Sequence, residues 1–130
     1  MKLNVVFTIA AVLLVILGLA SLFAPAAMVA TVSSGGAAST GYLMTIRFGG
    51  VEMLGLGLIA WLVRNSDASK ARDGVTLGFT IYFALHALTS LYGQFTDTTT
   101  SAHWVAATIQ ALIAVGFFMA GRANMSKSAS

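Results

Sequence analysis

Long apolar runs separated by short polar breaks dominate this chain. Leu3 to Ala24, Tyr42 to Val63, Val75 to Phe95 and Ala102 to Gly121 are each about as long as a membrane-crossing segment. A helix rising ~1.5 Å per residue needs about 20 such residues to traverse a hydrocarbon core ~30 Å thick. The pattern therefore predicts an all-α protein, an integral membrane four-helix bundle formed as a single domain over residues 1–130. Between the runs, Pro25 is expected to end the first helix, and Ser33-Ser34-Gly35-Gly36 reads as a flexible loop. Asn65 to Gly74 reads as the turn at the opposite end, Thr100 or Ser101 as a cap for the fourth helix, and Arg122 to Ser130 as a mobile polar tail.

Composition strengthens the membrane assignment: 58% of residues are hydrophobic, 8% are charged and mean hydropathy is +0.88. The net charge of +3 does not point to nucleic acid, because the basic residues form no stripe that could track a phosphate backbone. They act better as topology signals. With the N-terminus in the cytoplasm, Lys2, Arg64, Lys70, Arg72, Arg122 and Lys127 all fall on the cytoplasmic side, leaving Arg47 near the other face. Both termini are accordingly expected in the cytoplasm.

Met1-Lys2 and the following apolar run imitate a secretory signal, but the uncharged stretch is longer than the 7 to 15 residues such a core has. The expectation is four retained helices. A short echo between Leu19-Ala20-Ser21-Leu22-Phe23-Ala24 and Leu88-Thr89-Ser90-Leu91-Tyr92-Gly93 is what two duplicated hairpins would leave, and also what shared membrane composition would leave.

Recognisable chemical motifs are scarce. No cysteine is present, which removes disulfides, thiolate metal sites and cysteine nucleophiles. Gly55-Leu56-Gly57 lacks the third glycine and acidic partner of a dinucleotide fingerprint, and close helix packing explains it better. His86, His103 and Glu52 fall on three different helices without metal-ligand spacing, and no nucleophile elbow marks a serine hydrolase. Neither a metal nor a cofactor is expected, and catalytic residues cannot be assigned.

Charge inside a span is the exception. Only the second run contains any, Arg47 and Glu52, and each costs about 2.5 to 3.5 kcal/mol at mid-membrane on insertion scales. Five residues apart, their side chains point about 140° away from each other around the helix, so a bridge within it is strained. Arg47 can snorkel to headgroups; Glu52 is too deep to do so. Glu52 and His86 lie next to the midpoints of their helices, and Gln110 lies within a turn of its own. Arg47, Glu52, His86 and Gln110 are the candidate intramembrane polar site. Phe79, Tyr82, Phe83, Thr89, Ser90 and Gly93 surround His86 at helical spacing and add an aromatic and hydroxyl face.

Arg47-Phe48-Gly49-Gly50 followed by Leu54-Gly55-Leu56-Gly57-Leu58, with a histidine in helix three and an arginine after helix four, resembles small bacterial membrane proteins of the DoxX-like group. The resemblance covers helices two to four through motifs of low specificity. It implies a four-helix bundle with a membrane accessory role, and it brings no catalytic residues; the bundle itself is read as one of the bacterial inner-membrane type. Some members are associated with quinone-linked redox enzymes, but this chain has no cofactor motif that would carry that association over.

Taken together, the residues favour a non-enzymatic accessory or scaffold protein whose polar cluster fixes packing or a partner surface. Its partners are the bilayer and a second copy or another membrane polypeptide. Two alternatives stay open: a binding protein or enzyme for a small lipid-like molecule, with Glu52 and His86 as acid and base, and a subunit of an oligomeric transporter.

Overall fold

The computed structural model describes residues 2–32, 38–96 and 102–128, with the side chains of residues 32 and 125–128 outside that description. Five helices follow one another: α1 (Leu3–Phe23), α2 (Pro25–Val32), α3 (Thr40–Val63), α4 (Lys70–Thr96) and α5 (Ala102–Ser128). Four of these, with α5 counted to Asn124, are long and apolar enough to cross a membrane. The protein is thus an all-α, multi-pass membrane bundle.

The additional helix lies where the sequence predicts only a loop. Pro25 does stop α1, whose last residue is Phe23, but it also opens α2 at once. A first helical position suits proline, because its fixed φ is already helical and its missing N–H would be unpaired there anyway. Ala26, Ala27 and Met28 then continue in residues that favour helix, and Pro25 and Val29 turn inward. The Ser33 to Gly36 loop and the Thr100 or Ser101 cap lie outside the described residues.

Two other boundaries move. The third run is reached through a turn that is already helical from Lys70, because the Ser69 hydroxyl accepts from the Arg72 N–H (3.2 Å) and Asp73 sits in the positive first turn. At the far end, α5 continues through the polar tail to Ser128 instead of ending near Gly121. The carbonyl of Arg64 accepts from Arg72 Nη2 (3.3 Å), which ties the α3–α4 turn together.

Packing runs in two pairs, α1 along α3 and α4 along α5, with α1 also resting on α5 and α2 lying over α1, α3 and the edge of α5. α1 and α3 approach closely because glycines meet glycines. A methyl group on Gly50 would stand 2.8 Å from the Gly18 carbonyl oxygen, and one on Gly57 would stand 2.9 Å from Val15 Cγ2. In lipid the apolar effect does not drive helices together, so backbone proximity and van der Waals contact must do so. Gly57 carries out the packing role expected of Gly55-Leu56-Gly57, whereas Gly55 has nothing within 4 Å of its missing methyl.

The bundle centre is filled with rings. Phe7 and Phe117 are fully buried, 4.9 Å apart between centroids at 72°, and Phe79 stacks on Phe117 at 5.4 Å. Phe83 completes the group at 6.1 Å from Phe117. Offset and edge contacts of this kind each contribute about 0.5–1.5 kcal/mol beyond area burial. Outside the ring core, large apolar side chains such as Leu62, Leu88 and Leu112 are well exposed, as lipid contact requires.

Candidate functional site

α4 carries a polar face within the α4–α5 pair. Tyr82, His86 and Ser90 follow at four-residue intervals and so share one face of the helix. The Tyr82 and His86 rings lie 4.4 Å apart, tilted by 47°, and both residues are partly buried. One turn further on, the Ser90 hydroxyl donates to Gln110 Oε1 on α5 at 3.0 Å. Gln110 and His86 stand level with one another, each three residues, or about 4.5 Å, from the midpoint of its membrane-spanning segment (Ala102–Asn124 and Lys70–Thr96) toward the α2 end.

Glu52 approaches this face from α3. It remains at the midpoint of its helix, and its carboxylate is within electrostatic reach of the Tyr82 hydroxyl. Yet the residue is exposed on the flank of α3, and among the described residues it forms no ion pair or hydrogen bond. Arg47 is exposed as well. Its guanidinium contacts the Met44 sulfur on its own helix at 3.6 Å and takes no part in the Tyr82–His86 face.

The four sequence-predicted positions therefore fall into three places. His86 and Gln110 belong to one polar strip along α4 and α5, Glu52 borders that strip through Tyr82, and Arg47 lies outside it. Sequence inspection put Tyr82 and Ser90 around His86 without giving them site roles; the four-residue spacing of the three was the available signal. Of the remaining face, Phe79 and Phe83 enter the ring core, while Thr89 is exposed and donates to the Leu85 carbonyl at 2.9 Å. Gly93 lets the His103 ring pass close to the α4 backbone, 3.4 Å from where a methyl would stand.

Threonines elsewhere are satisfied internally. Thr8, Thr45, Thr76, Thr80 and Thr108 each donate to the carbonyl four residues back, at 2.8 to 3.2 Å. Such back-bonding is how a hydroxyl is made compatible with hydrocarbon. No group of three or more His, Asp or Glu side chains could hold a metal ion among the described residues.

A lateral groove of about 860 Å³ opens between α1 and α5. Ile9, Val12, Leu13 and Ile16 form one wall, Val105 and Ile109 the other, with Thr31 of α2 at its edge. Gln110 reaches this groove and is its one amide; the other end of that amide makes no hydrogen bond within the described residues. Glu52 and His86 do not line it.

Neither a protein-family model nor a curated protein nor a solved structure matches this chain.

Proposed function

We propose that the protein is a non-enzymatic accessory or scaffold subunit that works through the outward face of α3. The observation that carries this reading is Glu52: a carboxylate at the midpoint of a spanning helix, on its exposed flank, with no ion pair among the described residues. Facing lipid, such a group is costly by about 2.5–3.5 kcal/mol, and a second polypeptide that covers it removes much of that cost. α3 is also the least buried of the four spanning helices, with 17% of its most apolar stretch buried against 39% for α1. The DoxX-like resemblance supports the same class. On this reading the termini are cytoplasmic and the host bilayer is a bacterial inner membrane.

A photoreactive residue in place of Leu58 on α3 tests the proposal against one in place of Leu112 on α5, since both positions are exposed. Protein adducts at Leu58 and lipid adducts alone at Leu112 are expected; lipid adducts alone at both positions overturn it.

The groove favours a second reading, a site for a small lipid-like molecule. Its walls are apolar, and the free end of the Gln110 amide offers one polar contact. Mass spectrometry after extraction in mild detergent would find a retained apolar molecule that Val105→Trp expels. Because Glu52 and His86 lie outside the groove, this reading is one of binding and gives them no acid–base role.

A further inference from the structure

The outward face of α3 has a second property that follows from its register. Met44, Phe48, Val51, Gly55, Leu58 and Leu62 recur at alternating intervals of four and three residues, the a and d positions of a heptad pattern. Among the described residues this seam is largely uncovered: the large side chains run from 40% exposed at Met44 to 68% at Leu62, and the missing methyl of Gly55 has open space around it. The bundle uses the opposite side of the helix, where Gly50, Gly57 and Ala60 are buried.

In the same register Arg47 occupies a g position and Glu52 the e position of the next heptad. They flank the seam on its two sides, which is why the pair cannot close within one helix. Across a parallel two-helix seam those positions become neighbours, and side chains at e and g are the ones that form ion pairs between helices. A two-fold axis parallel to the helices brings Arg47 of each copy to Glu52 of the other, so one self-complementary contact makes two pairs. The five-residue spacing, unfavourable inside the helix, is the spacing such an exchange requires.

We propose that α3 is a homodimerisation helix, paired in parallel with α3 of a second copy through the Met44 to Leu62 seam and two reciprocal Arg47–Glu52 ion pairs. Charge complementarity selects a second copy over another occupant, since this chain itself supplies the missing cation at the matching height on the matching flank. Gly55, central in the seam and one turn from Glu52, allows the close backbone approach on which association in lipid depends. The inference rests on the reading of α3 as a protein interface and names its partner.

The test uses two differently tagged copies of the full chain, co-expressed and purified from lipid nanodiscs or mild detergent. Wild-type copies are expected to co-purify. Arg47→Glu alone and Glu52→Arg alone bring like charges together and should reduce self-association at least tenfold. Co-expressed with each other, those two variants regain complementary pairs on both sides and should associate as the wild type does, as should the double variant carrying both substitutions. Restoration of this kind excludes misfolding as the cause of the single losses. Independently, Leu58→Cys should form a disulfide-linked dimer on mild oxidation, whereas Leu85→Cys, equally exposed on α4, should not.

Single variants that self-associate like wild type, a mixed pair that fails to recover, or equal cross-linking at Leu58 and Leu85 would each overturn the proposal. Should Leu58 capture only a different protein, the second copy is the wrong partner while α3 remains an interface. Should it capture lipid alone, both readings fall.

Discussion

Gly18 and Gly50 face each other across the α1–α3 contact, each occupying the space a side chain on the other would need. A methyl on Gly18 would lie 2.9 Å from the Gly50 carbonyl oxygen, and one on Gly50 would lie 2.8 Å from the Gly18 carbonyl oxygen. Because the obstruction is backbone on both sides, no rotamer change relieves it.

Gly50→Ala should therefore separate α1 from α3 and destabilise the bundle by roughly 1–3 kcal/mol, the usual range for overpacking. Gly78→Ala, with nothing within 4 Å of the added methyl, should be neutral or stabilise by up to about 1 kcal/mol through helix propensity. Equilibrium unfolding in mixed detergent micelles distinguishes the two; equal losses would show that close approach is not what holds α1 to α3.

Truncating Phe117 to alanine should be the most damaging single change in the bundle, at about 3–5 kcal/mol. Its ring touches those of Phe7, Phe79 and Phe83, so three contacts fail together. Phe118→Ala, which removes a neighbouring ring that is 53% exposed, should cost much less. Thermal aggregation in detergent gives the ranking directly.

The Ser90–Gln110 hydrogen bond should show a coupling of about 0.6–1.7 kcal/mol in a double-mutant cycle of Ser90→Ala and Gln110→Leu, the range measured for polar contacts in membrane bundles. A coupling near zero would mean that the two side chains do not hold α4 and α5 in register. Gln110→Leu also removes the one amide that the described residues place in the α1–α5 groove, so loss of a co-purifying molecule in that variant but not in Ser90→Ala would assign the amide a binding role.

Glu52 makes no hydrogen bond among the described residues, so Glu52→Gln and Glu52→Ala should both leave the unfolding free energy of the separated chain within about 0.5 kcal/mol. Both should weaken association, since neither can pair with an arginine. A loss of several kcal/mol in the separated chain for Glu52→Ala alone would place the carboxylate in a network inside the bundle instead. Complementation of a deletion phenotype adds a third readout: failure of Glu52→Gln with association intact would point to proton transfer.

Orientation is tested with single cysteines in a chain that has none. Ala30→Cys on α2 should react with an impermeant thiol reagent added to intact cells, and Ala68→Cys in the α3–α4 turn should react only after the membrane is opened. The reverse pattern would place the termini outside.

Hydropathy alone determined the class and four spans, because crossing a hydrocarbon layer is a matter of length and composition along the chain. The same one-dimensional reading located Arg47 and Glu52 as the costly pair, and from their spacing it made a bridge within the helix strained. It could not say which way each helix turns. In lipid the bundle interior and the outer surface are both apolar, so periodicity does not distinguish a core position such as Phe117 from a lipid-facing one such as Phe118. Only the tertiary structure decided that glycines at 18, 50 and 57 set the α1–α3 contact while Gly55 faces outward. It also decided that Gln110 belongs to Ser90, that the Tyr82 ring lies against His86, and that Pro25 begins a helix after ending one. Each of those depends on which backbone comes near which, and in a membrane that is settled by steric fit and polar pairing between helices, not by the water-driven sorting that leaves its mark on a soluble sequence.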